Sequence, residues 1–370
     1  MKFFKILINT YKYEESQNNI NYDVIQNLKN YEEVLNKSQM YEKIFKEGKK
    51  YILFLQNIRK SIGETNLFEN NFKTLNNHTS CICHVSQLND GRLISSSKDS
   101  TLNIYKKDST FDLQLSIKEN SNGVSFFTQL KNDKIISCSW DNTINIIKLI
   151  NENKYKVEQK LIGHSSYVCN VIEIRENELI SVSCDKTMKI WELNNNKFEC
   201  TKTITFQNSG DYSNILKINE NEFVTSSCGD KCIKFWKSND FSNIETINNI
   251  ETNWNFRTLC MIKDDILCVG GINSKGFYLI NIINHQLIKN IIGPKMIFSI
   301  YECCDGLFLC SIKNENDNFA IVKYKYENQE MKKIVEKENI HKGEIPTCFE
   351  LNNGIIVSGG DDNLIKLWKN

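Results

Sequence analysis

The stretch SVSCDKTMKIWEL, residues 181–193, contains the residues on which the fold assignment depends. Ser181 precedes Asp185 by four residues, Trp191 follows it by six, and His164 lies 21 residues before it. Ser, His and Asp are also the components of a hydrolase catalytic triad. The stretch therefore raises two alternatives, a catalytic site or a structural element.

The same pattern recurs along the chain at intervals of about 44 residues. The Ser and Asp residues are Ser95 with Asp99, Ser137 with Asp141, Ser181 with Asp185, Ser226 with Asp230, and Ser358 with Asp362. Six residues after each Asp come Tyr105, Ile147, Trp191, Trp236 and Trp368. Two weaker copies, with Ser274 and either Asn318 or Asp317 at the Asp position, fill the interval between 230 and 362. Such self-similarity indicates a repeat architecture of seven units.

The repetition also decides between the two alternatives. The residue 21 positions before the Asp is His in three of the seven units, namely His78, His164 and His341. A catalytic site is made once in a chain, whereas a structural device is made once per repeat. We therefore expect no catalytic residues, and the chain shows no nucleophile elbow that would supply one.

Each unit contains four segments with the pattern of β-strands. In the best copy they are YVCNVIEI (167–174), NELISVSC (177–184), TMKIWEL (187–193) and CTKTITF (200–206). Apolar and small residues alternate or run together in these segments, and Asn, Asp or Gly residues separate them. Four strands per unit, seven times, predict an all-β seven-bladed β-propeller.

The units resemble WD repeats over residues 66–370. They share Gly-His at 163–164, the inner Ser and Asp, and a terminal Trp in three units, although Glu or Lys replaces the Asp of the Trp-Asp pair. The resemblance implies a hydrogen-bonded network that ties the turn between the second and third strands to the loop entering each blade. The network residues implied are His78, Ser95, Asp99, His164, Ser181, Asp185, Trp191, Ser226, Asp230, Trp236, His341, Ser358, Asp362 and Trp368.

The two ends of the chain are interpreted separately. The last unit contains only three strands, and we expect a strand near 67–76 to complete the last blade and close the ring. Residues 1–65 lack the repeat and are rich in Glu, Lys, Gln, Leu and Ile, which predicts an N-terminal α-helical extension of one or two amphipathic helices. Homodimerisation through a short coiled coil and packing onto the propeller are the alternatives for this arm.

Charge, apolar runs and cysteine spacing bear on the location, ligands and partners of the protein. The formal net charge of +1 gives no bulk signal for nucleic acid, and no apolar run is long enough for a transmembrane segment. The 14 Cys residues are irregularly spaced, which favours free thiols in a reducing compartment, and we expect a cytoplasmic location with a nuclear one as alternative. The CICH motif at 81–84 lacks a second ligand pair, so we expect no metal and no cofactor.

Members of the resembling family bind partners on the face that carries the entry loops. Carried over to this chain, the resemblance implies a partner surface containing Lys98, Trp140, Tyr167, Tyr212, Phe256 and Asp361. We expect a non-enzymatic scaffold or adaptor that binds proteins or peptides and takes no small-molecule substrate. The alternatives are a substrate-receptor subunit of a ubiquitin ligase, an RNA-associated propeller and, least favoured, an enzyme.

Overall fold

The structure, a computed structural model, describes residues 71–206, 212–227, 232–247, 255–263, 265–272, 276–303 and 305–369. The described residues form β-strands and no helix. The helical arm predicted for residues 1–65 lies outside them, as does Asp230.

The described strands, in chain order, number 28. They are β1 (Asn71–Leu75), β2 (Ile82–Gln87), β3 (Leu93–Ser97), β4 (Leu102–Tyr105), β5 (Leu113–Ile117), β6 (Val124–Gln129), β7 (Ile135–Ser139), β8 (Thr143–Asn151), β9 (Lys154–Ile162), β10 (Val168–Arg175), β11 (Glu178–Ser183), β12 (Thr187–Asn194), β13 (Lys197–Thr205), β14 (Tyr212–Lys217), β15 (Glu222–Ser227), β16 (Ile233–Lys237), β17 (Asn243–Ile247), β18 (Asn255–Lys263), β19 (Ile266–Ile272), β20 (Gly276–Asn281), β21 (Gln286–Ile292), β22 (Met296–Glu302), β23 (Phe308–Lys313), β24 (Phe319–Glu327), β25 (Glu330–Glu338), β26 (Thr347–Glu350), β27 (Ile356–Gly359) and β28 (Ile365–Trp368).

These strands form seven antiparallel blades, which confirms the predicted propeller. The first six blades are β2–β5, β6–β9, β10–β13, β14–β17, β18–β21 and β22–β25. The fifth and sixth blades are joined by one residue pair, Ile272 with Met296, and together form a continuous eight-stranded sheet. The innermost strands of neighbouring blades contact one another around the ring, including β2 against β26.

The seventh blade is assembled from both ends of the described chain. Strands β26, β27 and β28 come from the end of the chain, and β1 supplies the fourth strand. Lys73 pairs with Leu367 and Leu75 with Ile365 in an antiparallel ladder. The ring is therefore closed by sheet hydrogen bonds, which leaves no gap between the first and last blades.

The core lies between the blades. The second strands β3, β7 and β11 are buried along their whole length, because each blade is covered by a neighbour on both faces. One apolar cluster, for example, joins Ile146 of the second blade to Val171 and Trp191 of the third. The alternation expected for a half-exposed strand is seen in the outer strand β9, where exposed and partly buried residues alternate.

The innermost strands share a β-bulge at one position. The register shifts lie between Ile82 and His84, Val124 and Phe126, Val168 and Asn170, Tyr212 and Asn214, Phe256 and Thr258, and Ile297 and Ser299. In the seventh blade Thr347 pairs with Gly359, which is the register of Asn170 with Val182 in the third blade. The residue before Thr347, at the bulge position, is Pro346. Proline has no backbone N–H, and a bulged residue stands outside the ladder, so the position tolerates it.

Truncation of Leu75 tests the closure. Leu75 is 4% exposed and packs in the cluster shared by the first and seventh blades. We expect Leu75→Ala to lower the free energy of unfolding by about 2–4 kcal/mol, because it leaves a cavity at the junction that closes the ring. Urea denaturation of the full chain measures this, with Thr74→Ala on the exposed side of the same strand as the control. Equal stability of the two variants would contradict closure by β1.

Candidate functional site

The third blade contains a complete His–Ser–Asp–Trp network. His164 Nδ1 lies 2.7 Å from Asp185 Oδ2, and His164 Nε2 lies 2.7 Å from Ser181 Oγ. Trp191 Nε1 donates to the same hydroxyl at 2.9 Å. Neutral His164 satisfies all three contacts when Nδ1–H donates to Asp185 and Nε2 accepts the Ser181 proton.

This network differs from a catalytic triad in where its serine lies. Ser181 is fully buried, and its oxygen is already engaged by Trp191 and His164. A nucleophile has to be reachable by substrate, and an oxyanion hole has to lie beside it. Ser181 is not exposed to a substrate, and its hydroxyl links His164 to Trp191 inside the blade.

The first and seventh blades repeat the arrangement. The distances are 2.8 Å for His78 Nδ1 to Asp99, 2.7 Å for His78 Nε2 to Ser95, 2.7 Å for His341 Nδ1 to Asp362, and 2.8 Å for His341 Nε2 to Ser358. Trp368 donates to Ser358 at 3.1 Å. Tyr105 takes the Trp position in the first blade, and its hydroxyl lies 3.5 Å from Ser95 Oγ, so this contact is the weakest of the set.

The Asp carboxylate joins the two segments that form the face of the blade. Asp185 accepts the Ser165 backbone N–H from the entry loop and the Thr187 N–H from the far side of its own turn, both at 2.9 Å. Burial acts to raise the pKa of Asp185, but the hydrogen bonds from His164 and Thr187 outweigh it and hold the pKa well below the usual value. The carboxylate is therefore ionised at neutral pH and makes charge-assisted bonds.

Two further positions of the network were missed by sequence reasoning. A Thr two residues after the Asp donates its N–H to that carboxylate in three blades, at Thr101, Thr143 and Thr187. A Ser two residues before it donates its hydroxyl to an entry-loop carbonyl, at Ser97, Ser139 and Ser183. Both residues recur at constant spacing from the Asp, so alignment of the repeats on the Asp reveals them as well.

The second and fourth blades depart from the pattern. Asn120 replaces His in the second blade and accepts a hydrogen bond from Asn145 at 2.8 Å, while the buried Ser137 hydroxyl has no partner among the described residues. In the fourth blade Trp236 donates to Thr225 at 2.9 Å and not to Ser226. The assignment of Ser226 to the network is wrong, because Thr225 takes the Ser position: Thr225 pairs with Lys234 as Ser181 pairs with Lys189.

One backbone hydrogen bond builds the rim of the entry face, by which we mean the end of the ring that carries these turns and loops. The backbone N–H of the residue before each Asp donates to the backbone carbonyl of the residue that lies three residues after the His position. The four described cases are Lys98 to Cys81 (3.0 Å), Trp140 to Gly123 (2.8 Å), Cys184 to Tyr167 (2.9 Å) and Asp361 to Glu344 (3.0 Å). The residue before the Asp and the residue three after the His position are thus adjacent on this face.

Three of the predicted partner-binding residues come together across the first three blades. The Trp140 and Tyr167 rings stack, with centroids 5.6 Å apart and an angle of 26° between their planes. Lys98 Nζ lies 5.5 Å from the centroid of the Trp140 ring. Tyr167 is 46% exposed, Lys98 is exposed, and Trp140 is half-buried. We call these three residues the aromatic patch.

Gly123 explains how the patch fits together. A Cβ at this position would lie 3.1 Å from both the Lys98 Cα and the Trp140 ring. The absence of a side chain therefore lets the turns of the first and second blades approach each other. Any larger residue at 123 would push Lys98 or Trp140 out of place.

The other three predicted partner-binding residues lie in other blades. Tyr212 pairs with Ser227 and Phe256 with Gly271, which is the register of Val168 with Ser183 and not that of Tyr167. Their assignment to the Tyr167 position is therefore wrong by one residue, and their side chains lie outside the described part of the structure. Asp361 is exposed at the junction of the seventh and first blades, where its carboxylate accepts the Cys81 thiol at 2.5 Å.

The CICH motif is divided between different environments. Cys81 bonds to Asp361, while the His84 ring packs on Phe126 and Phe127 with centroids 4.6 and 4.9 Å away. Burial lowers the pKa of His84 to about 4. In the described part of the chain, no three His, Cys, Asp or Glu side chains are grouped to hold a metal. No helix there has the length and hydropathy needed to cross a membrane.

Comparison with known proteins finds a match to three of the seven units. The family model described as WD domain, G-beta repeat matches residues 69–106, 155–192 and 339–369, the three units whose entry loop carries His. No curated protein matches the chain significantly. The crystal structure of the WD40 β-propeller domain of Doa1 superimposes with a TM-score of 0.65 at 20% identity, covering 80% of this chain and 96% of that one. At this identity the likeness concerns the fold alone.

Removal of one network histidine tests the structural role. We expect His164→Ala to lower the free energy of unfolding by about 2–3 kcal/mol, because it leaves Asp185 and Ser181 buried without their shared partner. Denaturation followed by circular dichroism measures this, and Ser165→Ala, exposed on the same loop, is the control. An unchanged unfolding midpoint with loss of a biochemical activity would overturn the structural interpretation.

The network also predicts the direction of the pH dependence. The pKa values of Asp99, Asp185 and Asp362 are depressed in the folded state, so their stabilisation is complete above the unfolded pKa of about 4 and is lost as pH falls below it. We expect the free energy of unfolding to fall between pH 5 and pH 3. Asp185→Asn should flatten this dependence, whereas Glu315→Gln, at an exposed position, should leave it unchanged.

Proposed function

We propose that this seven-bladed β-propeller, three of whose units match the WD40 repeat model, is a non-enzymatic scaffold that binds partner proteins or peptides on its entry face. The supporting observation is the aromatic patch, in which stacked Trp140 and Tyr167 lie beside exposed Lys98. Aromatic side chains of this kind dominate the binding energy of protein interfaces.

The patch has the features of a preformed binding surface. The backbone N–H of Trp140 and the carbonyl of Tyr167 are both used in the rim hydrogen bonds, which hold the two rings in place before a partner arrives. Rings that are already ordered lose little conformational entropy on binding. Lys98 adds a positive charge, which favours a partner segment with an apolar or aromatic side chain next to a carboxylate.

We propose a scaffold without catalytic activity because the Ser, His and Asp side chains that occur together are engaged with one another. The Ser, His and Asp residues that occur together are buried and bonded to one another in the first, third and seventh blades. Each such group ties a turn to a loop. A scaffold requires this rigidity, whereas an enzyme would require at least one such group to be open to substrate.

Substitution of the two rings tests the proposal. We expect Trp140→Ala combined with Tyr167→Ala to weaken the binding of a purified partner by about 2 kcal/mol or more, roughly 30-fold, without lowering the melting temperature by more than a few degrees. Candidate partners are first captured with the full chain and identified by mass spectrometry. Their affinities for the wild type and the variants are then measured by calorimetry.

The matched control lies at the other end of the ring. Ile283 is 77% exposed in the turn between β20 and β21, a third-to-fourth-strand turn, and Ile283→Ala should leave the affinity unchanged. Equal weakening by Ile283→Ala would place the interface elsewhere and contradict the proposal. Binding that falls steeply with salt and persists in the double variant would instead indicate nucleic acid.

A further inference from the structure

Two cysteines of the third blade bring their sulfur atoms together beside the aromatic patch. Cys169 is the residue at the β-bulge of β10, and Cys184 follows β11 in the turn before Asp185. Their Sγ atoms lie 3.3 Å apart, and both residues are half-buried. A contact of this length between two partly accessible thiols is a short displacement away from a disulfide, whose S–S bond measures about 2.05 Å.

The backbone at both positions allows that displacement. Cys169 stands outside the ladder, because the register passes from Val168 paired with Ser183 directly to Asn170 paired with Val182. Cys184 lies beyond the last ladder pair. The sulfur atoms can therefore move together without breaking a strand pair of the blade.

Several other cysteines of the chain are buried and have thiols that are hard to ionise. Cys138, Cys268 and Cys310 are completely buried, and desolvation raises the pKa of each thiol well above its usual value. Cys81 is buried and donates its thiol proton to Asp361. Such thiols are poor nucleophiles and react slowly with oxidants.

We propose that Cys169 and Cys184 form a reversible oxidation site that a peroxide closes to a disulfide. In the first step the sulfur of one cysteine attacks a peroxide oxygen, and the O–O bond breaks to give a sulfenic acid and water. In the second step the other thiol attacks the sulfenic sulfur, the S–S bond forms and a second water leaves. Two thiols and one hydrogen peroxide thus give one disulfide and two waters, and a dithiol reverses the reaction.

The disulfide would act directly on the aromatic patch. The Cys184 N–H donates to the Tyr167 carbonyl at 2.9 Å, and the Tyr167 ring stacks on Trp140. Drawing Cys184 toward Cys169 therefore moves the donor that positions Tyr167. That oxidation changes partner affinity is a consequence that rests on the proposed function, whereas formation of the disulfide does not depend on it.

Peptide mapping of the oxidised full chain tests the site. The natively folded protein is treated with hydrogen peroxide, alkylated with iodoacetamide and digested with trypsin without reduction. Cleavage after Lys160, Arg175 and Lys186 places each of the two cysteines alone in its own peptide, 161–175 and 176–186. We expect these peptides to appear linked and two hydrogens lighter than their sum, with alkylation of both cysteines reduced at least tenfold and restored by dithiothreitol.

Matched variants separate this outcome from general oxidation. Cys184→Ser should leave Cys169 unlinked, and Cys200→Ser, at an exposed cysteine of the outer strand β13, should leave the 161–175 to 176–186 linkage unchanged. Absence of the linked peptide in the wild type, or conversion of both cysteines to sulfinic acid, would overturn the proposal. If the linkage forms but the partner affinity is the same in both redox states, the oxidation site stands and its link to the entry face fails.

Discussion

The buried Asp carboxylate of each complete blade is the interaction on which the entry face depends. In the third blade it accepts hydrogen bonds from the entry-loop backbone, from the loop histidine and from the turn itself. A carboxylate has enough lone pairs to serve all these donors at once, which a neutral side chain of similar size lacks. The position of the turn relative to the loop therefore follows from one ionised group.

The ring tolerates blades in which this interaction is incomplete. The second blade keeps Asp141 bonded to the Ser121 backbone at 3.0 Å but has Asn120 in place of the histidine. The fifth blade has Ile280 opposite Leu267, where the third has Trp191 opposite Leu179, and relies on apolar packing. Because every blade packs on two neighbours and β1 closes the ring, a weak blade is supported from both sides.

The repeat and its main hydrogen-bonding positions were readable from the sequence because they recur at constant spacing. Seven blades of four strands followed from that period, and the structure confirms this architecture. The errors at Ser226, Tyr212 and Phe256 have one physical cause. Spacing counts residues, whereas strand pairing decides which residues are equivalent, and in the fourth and fifth blades the pairing register differs by one residue from the register that the spacing implies. The β-bulge was not predictable either, because the bulged residues are as different as Cys169 and Ser125 and share no residue-type signature.

The residue type differs from blade to blade at two positions where the backbone alone makes the repeated contacts. The residue before each Asp makes the same backbone hydrogen bond whether it is Lys98, Trp140, Cys184 or Asp361, so this bond does not determine the residue type. The bulged residue of the innermost strand is released from pairing in the same way. In the third blade both positions are cysteine, and their sulfur atoms are in contact. A regular backbone with a different side chain at the rim of each blade therefore gives each blade its own chemistry, which in the first two blades is a cation beside an aromatic ring and in the third a pair of thiols.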